Sequence, residues 1–458
     1  MKRLVWFLMA LACALMALSA QVVITLQEGQ FPAMAIPDFR GDGQAQPLMG
    51  AFNSTLWDDI QGSGFFRMVP KTLYPKAFPQ QPSDWRQPPP VEVQPRGSRR
   101  QQPPAPPNGG GFYGIDWSGP PVSADYMPFG YTAVQNGVLV LYGWFWDLGR
   151  GSQVIGKRYL ASSADEAGAR QIAHQFAADI LALFGAKSAY GTHIYFVSNR
   201  TGHKEIWVMD PDGKNQKQIT HFNSLSIQPA VSPDGSKIAF TSYVRTNPGI
   251  FVFSVDPVRD LRFYNQRASV NETASFTPDG KQLLYASSAG GSCCRIYIVN
   301  LDGSGLRPIS SPGAIDVEPK VNPKTGHDIV FVSGRSGPQQ IYRMNMDGAD
   351  MERLTPGEGE ASNPSWHPGG QIIAYAWTRG YMTGNFNIFT MDVATRKYLQ
   401  LTHSEGRNEN PSWAPDGVHL AFMSTRSGSH QIWTMLATGA QARQLTTQGS
   451  NETPVWGQ

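Results

Sequence analysis

The chain has 458 residues, of which only 16% are charged, and a formal net charge of +3 at pH 7. The charges are nearly balanced and form no basic stripe, so the electrostatic footprint of a nucleic-acid binder is missing. Three cysteines and nine scattered histidines, with no His-x-x-x-His or Cys/His cluster, supply neither a disulfide framework nor a metal motif.

The first element is Met1–Ala20, where Lys2-Arg3 precede an apolar run from Leu4 to Leu18 and the small residues Ser19-Ala20. This is the pattern of a cleaved secretion signal, too short for a transmembrane helix of roughly 20 apolar residues. Cleavage would remove Lys2 and Arg3 and take the formal charge of +3 to +1. Cys13 would leave with the signal, so only Cys293 and Cys294 would remain. A disulfide between adjacent residues constrains no loop, and the pair reads as incidental to the fold. In Gln21–Gln30, Val22, Ile24 and Leu26 alternate with other residues, which suits a strand added to a partner's sheet edge or docked on the chain's own domain.

Next, Ala33–Phe39 reads as a buried strand and Leu48–Ile60 as an amphipathic helix carrying Leu48, Phe52, Leu56 and Trp57; Phe65–Val69 reads as a strand. Pro79–Pro107 holds ten prolines with Arg86, Arg96, Arg99 and Arg100 and then Gly109-Gly110-Gly111, the composition of an extended linker or solvated loop. Strands are expected at Gly137–Asp147 and Gly156–Ala161, and a helix at Asp165–Phe184 with Ile172, Phe176, Ile180 and Leu183 on one face. The expected organisation is a signal peptide (1–20), an α/β domain (21–190) with an insertion at about 79–122, and a repeat domain (191–458).

From His193 onward a unit of 43 to 47 residues recurs six times, in register with Val231, Phe276, Val321, Trp366, Trp413 and Trp456. An apolar run ending in most copies at serine repeats in phase (Ile194–Ser198, Ile238–Ser242 and their counterparts). So does a pair such as Ile206-Trp207 or Ile341-Tyr342, and a closing pair such as Ile219-Thr220 or Leu354-Thr355, degenerate in the second copy. Each unit therefore holds four short strands, the content of one propeller blade. Six units predict a mainly β protein with a six-bladed β-propeller after a small α/β domain. The last unit stops after Trp456 and the first lacks an innermost strand, so Thr453–Gln458 is expected to complete the first blade and remove the last free edge.

An α/β domain opening on Phe31-Pro-Ala-Met-Ala-Ile-Pro-Asp-Phe39, a helix leading to Ser63-Gly-Phe-Phe66, a propeller with Ser232-Pro-Asp-Gly235-type turns and a final Glu452-Thr-Pro-Val-Trp456 together resemble the TolB family, periplasmic components of the Tol-Pal system. The resemblance covers nearly everything after the signal except the Pro-rich insertion. It implies a non-enzymatic, monomeric adaptor without cofactors, which binds a Pal-like peptidoglycan-associated lipoprotein at the propeller mouth and a TolA-like inner-membrane protein through the mature N-terminus. Outer-membrane integrity and envelope constriction in cell division follow as its role. The alternative is a periplasmic propeller for a glycan or small ligand, or a degenerate relative of propeller enzymes. The α/β domain and its tail favour the adaptor.

The register locates the mouth. Three positions before each anchor stand Gln228, Thr273, Glu318, Asn363, Asn410 and Thr453, none apolar; with Glu272, Asp316, Glu409 and Glu452 they are the candidate partner-binding residues. Glu318, Glu409 and Glu452 are expected to converge in one exposed patch. Capping loops and holding water in the channel is the plainer use of these groups. No Gly-x-Ser-x-Gly elbow is present. Asp210-Pro-Asp212-Gly213-x-Asn215 lacks the full ligand set of a calcium loop and reads as a turn, and Arg200, Arg335 and Arg426, each opening an Arg-x-Gly triplet, read as hairpin residues.

Overall fold

The computed structural model describes residues 31–86, 110–261, 268–291, 293–380 and 384–458. The signal segment, Val22, Ile24 and Leu26 lie outside the described residues, as does most of the Pro-rich stretch. Two compact units separate between Ser188 and Ala189.

In the first unit, β1 (Ala33–Met34), β2 (Arg40–Gly41), β3 (Arg67–Met68), β4 (Tyr126–Gln135), β5 (Val138–Asp147) and β6 (Ser152–Leu160) form one sheet. Its order is β3-β1-β4-β5-β6, with β2 also on β4; the contacts of β1 and β2 are parallel and the β4-β5-β6 meander is antiparallel. The expected strand at Ala33–Phe39 shrinks to two ladder residues, and β4 is one that periodicity did not reveal, because its stretch Met127–Gly130 is buried on both faces and shows no alternation. Helices α1 (Met49–Gly62) and α2 (Glu166–Leu183) press Phe52, Leu56, Ile60, Ile172, Phe176 and Ile180 onto one sheet face. Asp165 caps α2 by accepting from the Gly168 N–H at 2.8 Å. Asp59 on α1 meets His174 on α2 at 2.6 Å.

The other sheet face is covered by the flanks of the Pro-rich segment, which departs from the loop expected there. Trp117 is fully buried with its indole N–H donating to the Gly111 carbonyl at 2.8 Å, and Trp85 stacks on Trp146 with ring centroids 5.5 Å apart. Proline content hid these anchors, since composition reports on the backbone and not on two tryptophans that need a surface to cover.

The second unit is six four-stranded antiparallel sheets. The innermost strands are Ser226–Val231, Asn271–Phe276, Asp316–Val321, Ala361–Trp366 and Asn408–Trp413 in blades II to VI. In blade I the strand Asn451–Gly457 pairs antiparallel with His193–Ser198, so the last strand closes the ring as the missing column requires. The second strand of each blade is buried almost throughout because it faces neighbours on both sides. Tyr195, Val197 and Ile206 of blade I, for instance, pack on Ile238, Phe240 and Phe251 of blade II.

The recurrent pairs have a physical cause. The Ile206, Ile296, Ile341, Ile388 and Ile432 N–H groups donate to the hydroxyls of Thr220, Ser310, Thr355, Thr402 and Thr446 at 2.8 to 3.1 Å. A buried amide that the ladder leaves open is thereby satisfied in five blades.

Candidate functional site

The six inner strands line a central cavity of about 290 Å³. Each carries a break in its ladder, between Ile227 and Ala230 in blade II and at the equivalent place in the others. The bulged residue is the one singled out by the register: Gln228, Thr273, Glu318, Asn363, Asn410 and Thr453 have φ of 46° to 57°. Proline follows it in five blades, where the interrupted ladder asks for no N–H.

These residues are brought together in the cavity wall, but they are largely committed to one another. The Thr273 N–H donates to Gln228 Oε1 at 3.3 Å, Glu318 N–H to Thr273 Oγ1 at 3.2 Å, Asn363 N–H to Glu318 Oε2 at 2.6 Å and Asn410 N–H to Asn363 Oδ1 at 3.3 Å. Asn363 Nδ2 also donates to Glu318 Oε1 at 3.0 Å. The polar chain thus runs from blade II to blade VI, which explains why the linked positions are not apolar.

The carboxylates do not form one exposed patch. Asp316 is fully buried and both its oxygens accept from Arg335 Nη2 at 2.9 Å, so it is part of the blade's interior. Arg200 and Arg426 make the same reach to Asn451 and Asn408, while each guanidinium also binds a serine and lies over an aromatic ring. The three arginines sit at hairpins and staple them to the inner strand. Glu409 pairs with Arg407 at 2.6 Å, and Glu452 with Lys204 at 2.6 Å and His430 at 3.0 Å. Burial pushes Glu452 up, but hydrogen bonds from Lys204 and His430 outweigh it and hold the carboxyl below its ordinary range. Glu272, half-buried, is pushed up by desolvation. Glu318 lies inside the channel, where burial raises it against the pull of Asn363 and Lys320.

The Asp210–Asn215 segment is a turn held by its own side chains: Asn215 Nδ2 donates to Asp210 at 2.6 Å and the Lys214 N–H to Asp212 at 2.8 Å. Cys293 and Cys294 are joined to each other.

The six-fold channel with a bulged inner strand in every blade can be set beside known proteins. The PD40 family, described as the TolB beta propeller domain, matches residues 181–381 and 357–458. The chain belongs to the TolB propeller family. A protein TolB homolog of Chlorobium luteolum is 36% identical over 179 residues, 39% of this chain and 40% of its own length. One from Chlorobium chlorochromatii is 31% identical over 215 residues, 47% of each. The matched region spans less than half the length of these curated relatives. The crystal structure of TolB from Acinetobacter baumannii superposes with a TM-score of 0.73, covering 95% of this chain and 98% of that one at 21% identity, which shows the shared fold.

One set of mouth residues in this TolB-family propeller escaped the sequence reading. Six positions before each anchor, at the leading end of the inner strand, stand Leu225, Val270, Ile315, Glu360, Arg407 and Ser450. Leu225 is 37% exposed and Ile315 53% exposed. Just inside them, Ile227 and Val317 are half-buried. Blades II to IV therefore present a mainly apolar sector interrupted by Glu272, while blades V, VI and I present Glu360, Arg407, Lys204 and His430. The signal was available one column outward, where apolar residues occupy three consecutive repeats.

Proposed function

We propose that this chain is a periplasmic protein-binding adaptor of the Tol-Pal type, which takes a Pal-like lipoprotein at the propeller mouth. The observation that carries the reading is the divided mouth. Exposed Leu225 and Ile315 stand at the leading ends of the inner strands of blades II and IV, and Glu360 and Arg407 stand at the same position in blades V and VI. Such a surface gives a folded partner both a desolvated anchor and an orienting rim. Family membership and the Met1–Ala20 signal pattern support the location. No helix among the described residues is long and apolar enough to cross a membrane.

The mature N-terminal segment around Val22, Ile24 and Leu26 is the proposed contact for a TolA-like protein, by strand addition to its sheet edge. Outer-membrane integrity and envelope constriction during division are the proposed role of the two contacts together. Calorimetric titration of the full mature chain with the soluble domain of the cognate Pal-like lipoprotein tests the first contact. Saturable binding is expected, and deletion of Gln21–Gln30 should abolish the TolA-like interaction while leaving the lipoprotein's intact. Absence of lipoprotein binding by the folded wild type would instead favour a propeller for a glycan or small ligand.

A further inference from the structure

Lys320 stands one position before the anchor of blade IV and lines the cavity, and its ammonium makes no hydrogen bond and no ion pair among the described residues. The carboxylate of Glu318 lines the same cavity as the nearby countercharge, its oxygens also accepting from Asn363 at 2.6 and 3.0 Å. The Trp413 indole N–H and the Thr453 hydroxyl, on residues that also line the cavity, are buried and lack a partner. At the level of Lys320 the neighbouring blades III and V offer Ser275 and Ser365. An ammonium that lines a cavity without a hydrogen bond among the described residues has donors free for an anionic acceptor.

We propose that the propeller channel is an oxyanion site, in which a carboxylate or phosphate group docks on Lys320 with help from polar groups of the neighbouring inner strands. The cavity of about 290 Å³ admits such a group with room to spare. Burial draws Lys320 below its ordinary value while the Glu318 charge holds it up, so a bound anion restores the charged form that the wall alone disfavours. Two sources share this chemistry: a free small anion, or an acidic side chain that a docked partner inserts through the mouth. The inference rests on the cavity wall and does not depend on the identity of the partner.

The test follows the indole N–H resonances of the full mature chain by NMR during titration with acetate and with inorganic phosphate. Trp366, whose indole N–H donates to the Lys320 carbonyl at 3.0 Å, and Trp413 report on the cavity from within its wall. A saturable shift of these two signals is expected, weakened at least tenfold in Lys320→Met and retained in Lys320→Arg. If Lys320→Met does not fold, Lys320→Gln carries the comparison. No saturable shift with either ion, or the same response without the Lys320 charge, overturns the site. Titration with the lipoprotein domain then separates the sources: if it supplies the anion, it saturates the same signals and excludes phosphate from them. If phosphate still binds to the complex, the site serves a free anion.

Discussion

Thr273 shows at one position how the ring is built and what it costs. A β-branched residue at φ 57° is strained by about 1 kcal/mol or more, yet its hydroxyl accepts the Glu318 N–H of the next blade. Asparagine tolerates that backbone region and keeps an acceptor, as Asn363 does for the Asn410 N–H. Thr273→Asn should leave the thermal midpoint unchanged or raise it, whereas Thr273→Val, which keeps the strain and loses the acceptor, should lower it. The buried Thr355 hydroxyl serves the Ile341 N–H and donates to Gln340 Oε1 at 2.7 Å. Its replacement by valine should destabilise the propeller by about 1 to 3 kcal/mol in denaturant titration. Arg335→Met leaves the Asp316 carboxylate buried without its partner and should cost about 3 to 5 kcal/mol.

At the scale of elements, the blades were legible because each needs the same amide-to-hydroxyl bond and the same anchor, so the sequence repeats them in phase. The closing strand was legible for the complementary reason, as a column missing at one end and present at the other. What stayed hidden depends on contacts between elements. The side chains of Gln228, Thr273, Glu318 and Asn363 announce polarity, but only the bulge geometry turns them toward the next blade instead of a partner. Asp316 looks like a surface carboxylate until Arg335 is seen beside it. The strand Tyr126–Gln135 carries no alternation because the sheet is covered on both faces, and one cover is the flank of the Pro-rich segment. The closing strand itself should be sensitive to acid. Glu452 is held below its ordinary value in the folded chain, so its contribution is complete above about pH 4.3, the unfolded value, and is lost as pH falls through the folded one. Wild type should lose thermal stability over that fall, and Glu452→Gln should lose less of it.

At the scale of the molecule, closure makes six marginal sheets into one ring. Trp456 packs on Ala414 and Ala421 of blade VI, donates its backbone N–H to Ser412 Oγ at 2.9 Å and its indole N–H to Thr192 Oγ1 at 2.8 Å. Trp456→Ala should cost about 3 to 5 kcal/mol and expose a sheet edge prone to aggregation. The closed ring then positions an apolar arc and a charged arc around one opening, and it is this opening, more than any single carboxylate, that the account assigns to the lipoprotein. Hydrogen exchange on the intact mature chain, free and saturated with the lipoprotein domain, tests that assignment most directly. New protection is predicted at the leading ends of the inner strands, around Leu225–Ile227, Val270–Glu272 and Ile315–Val317. Protection confined to the opposite ends, at turns such as Ser232–Gly235 and Thr277–Gly280, would contradict it.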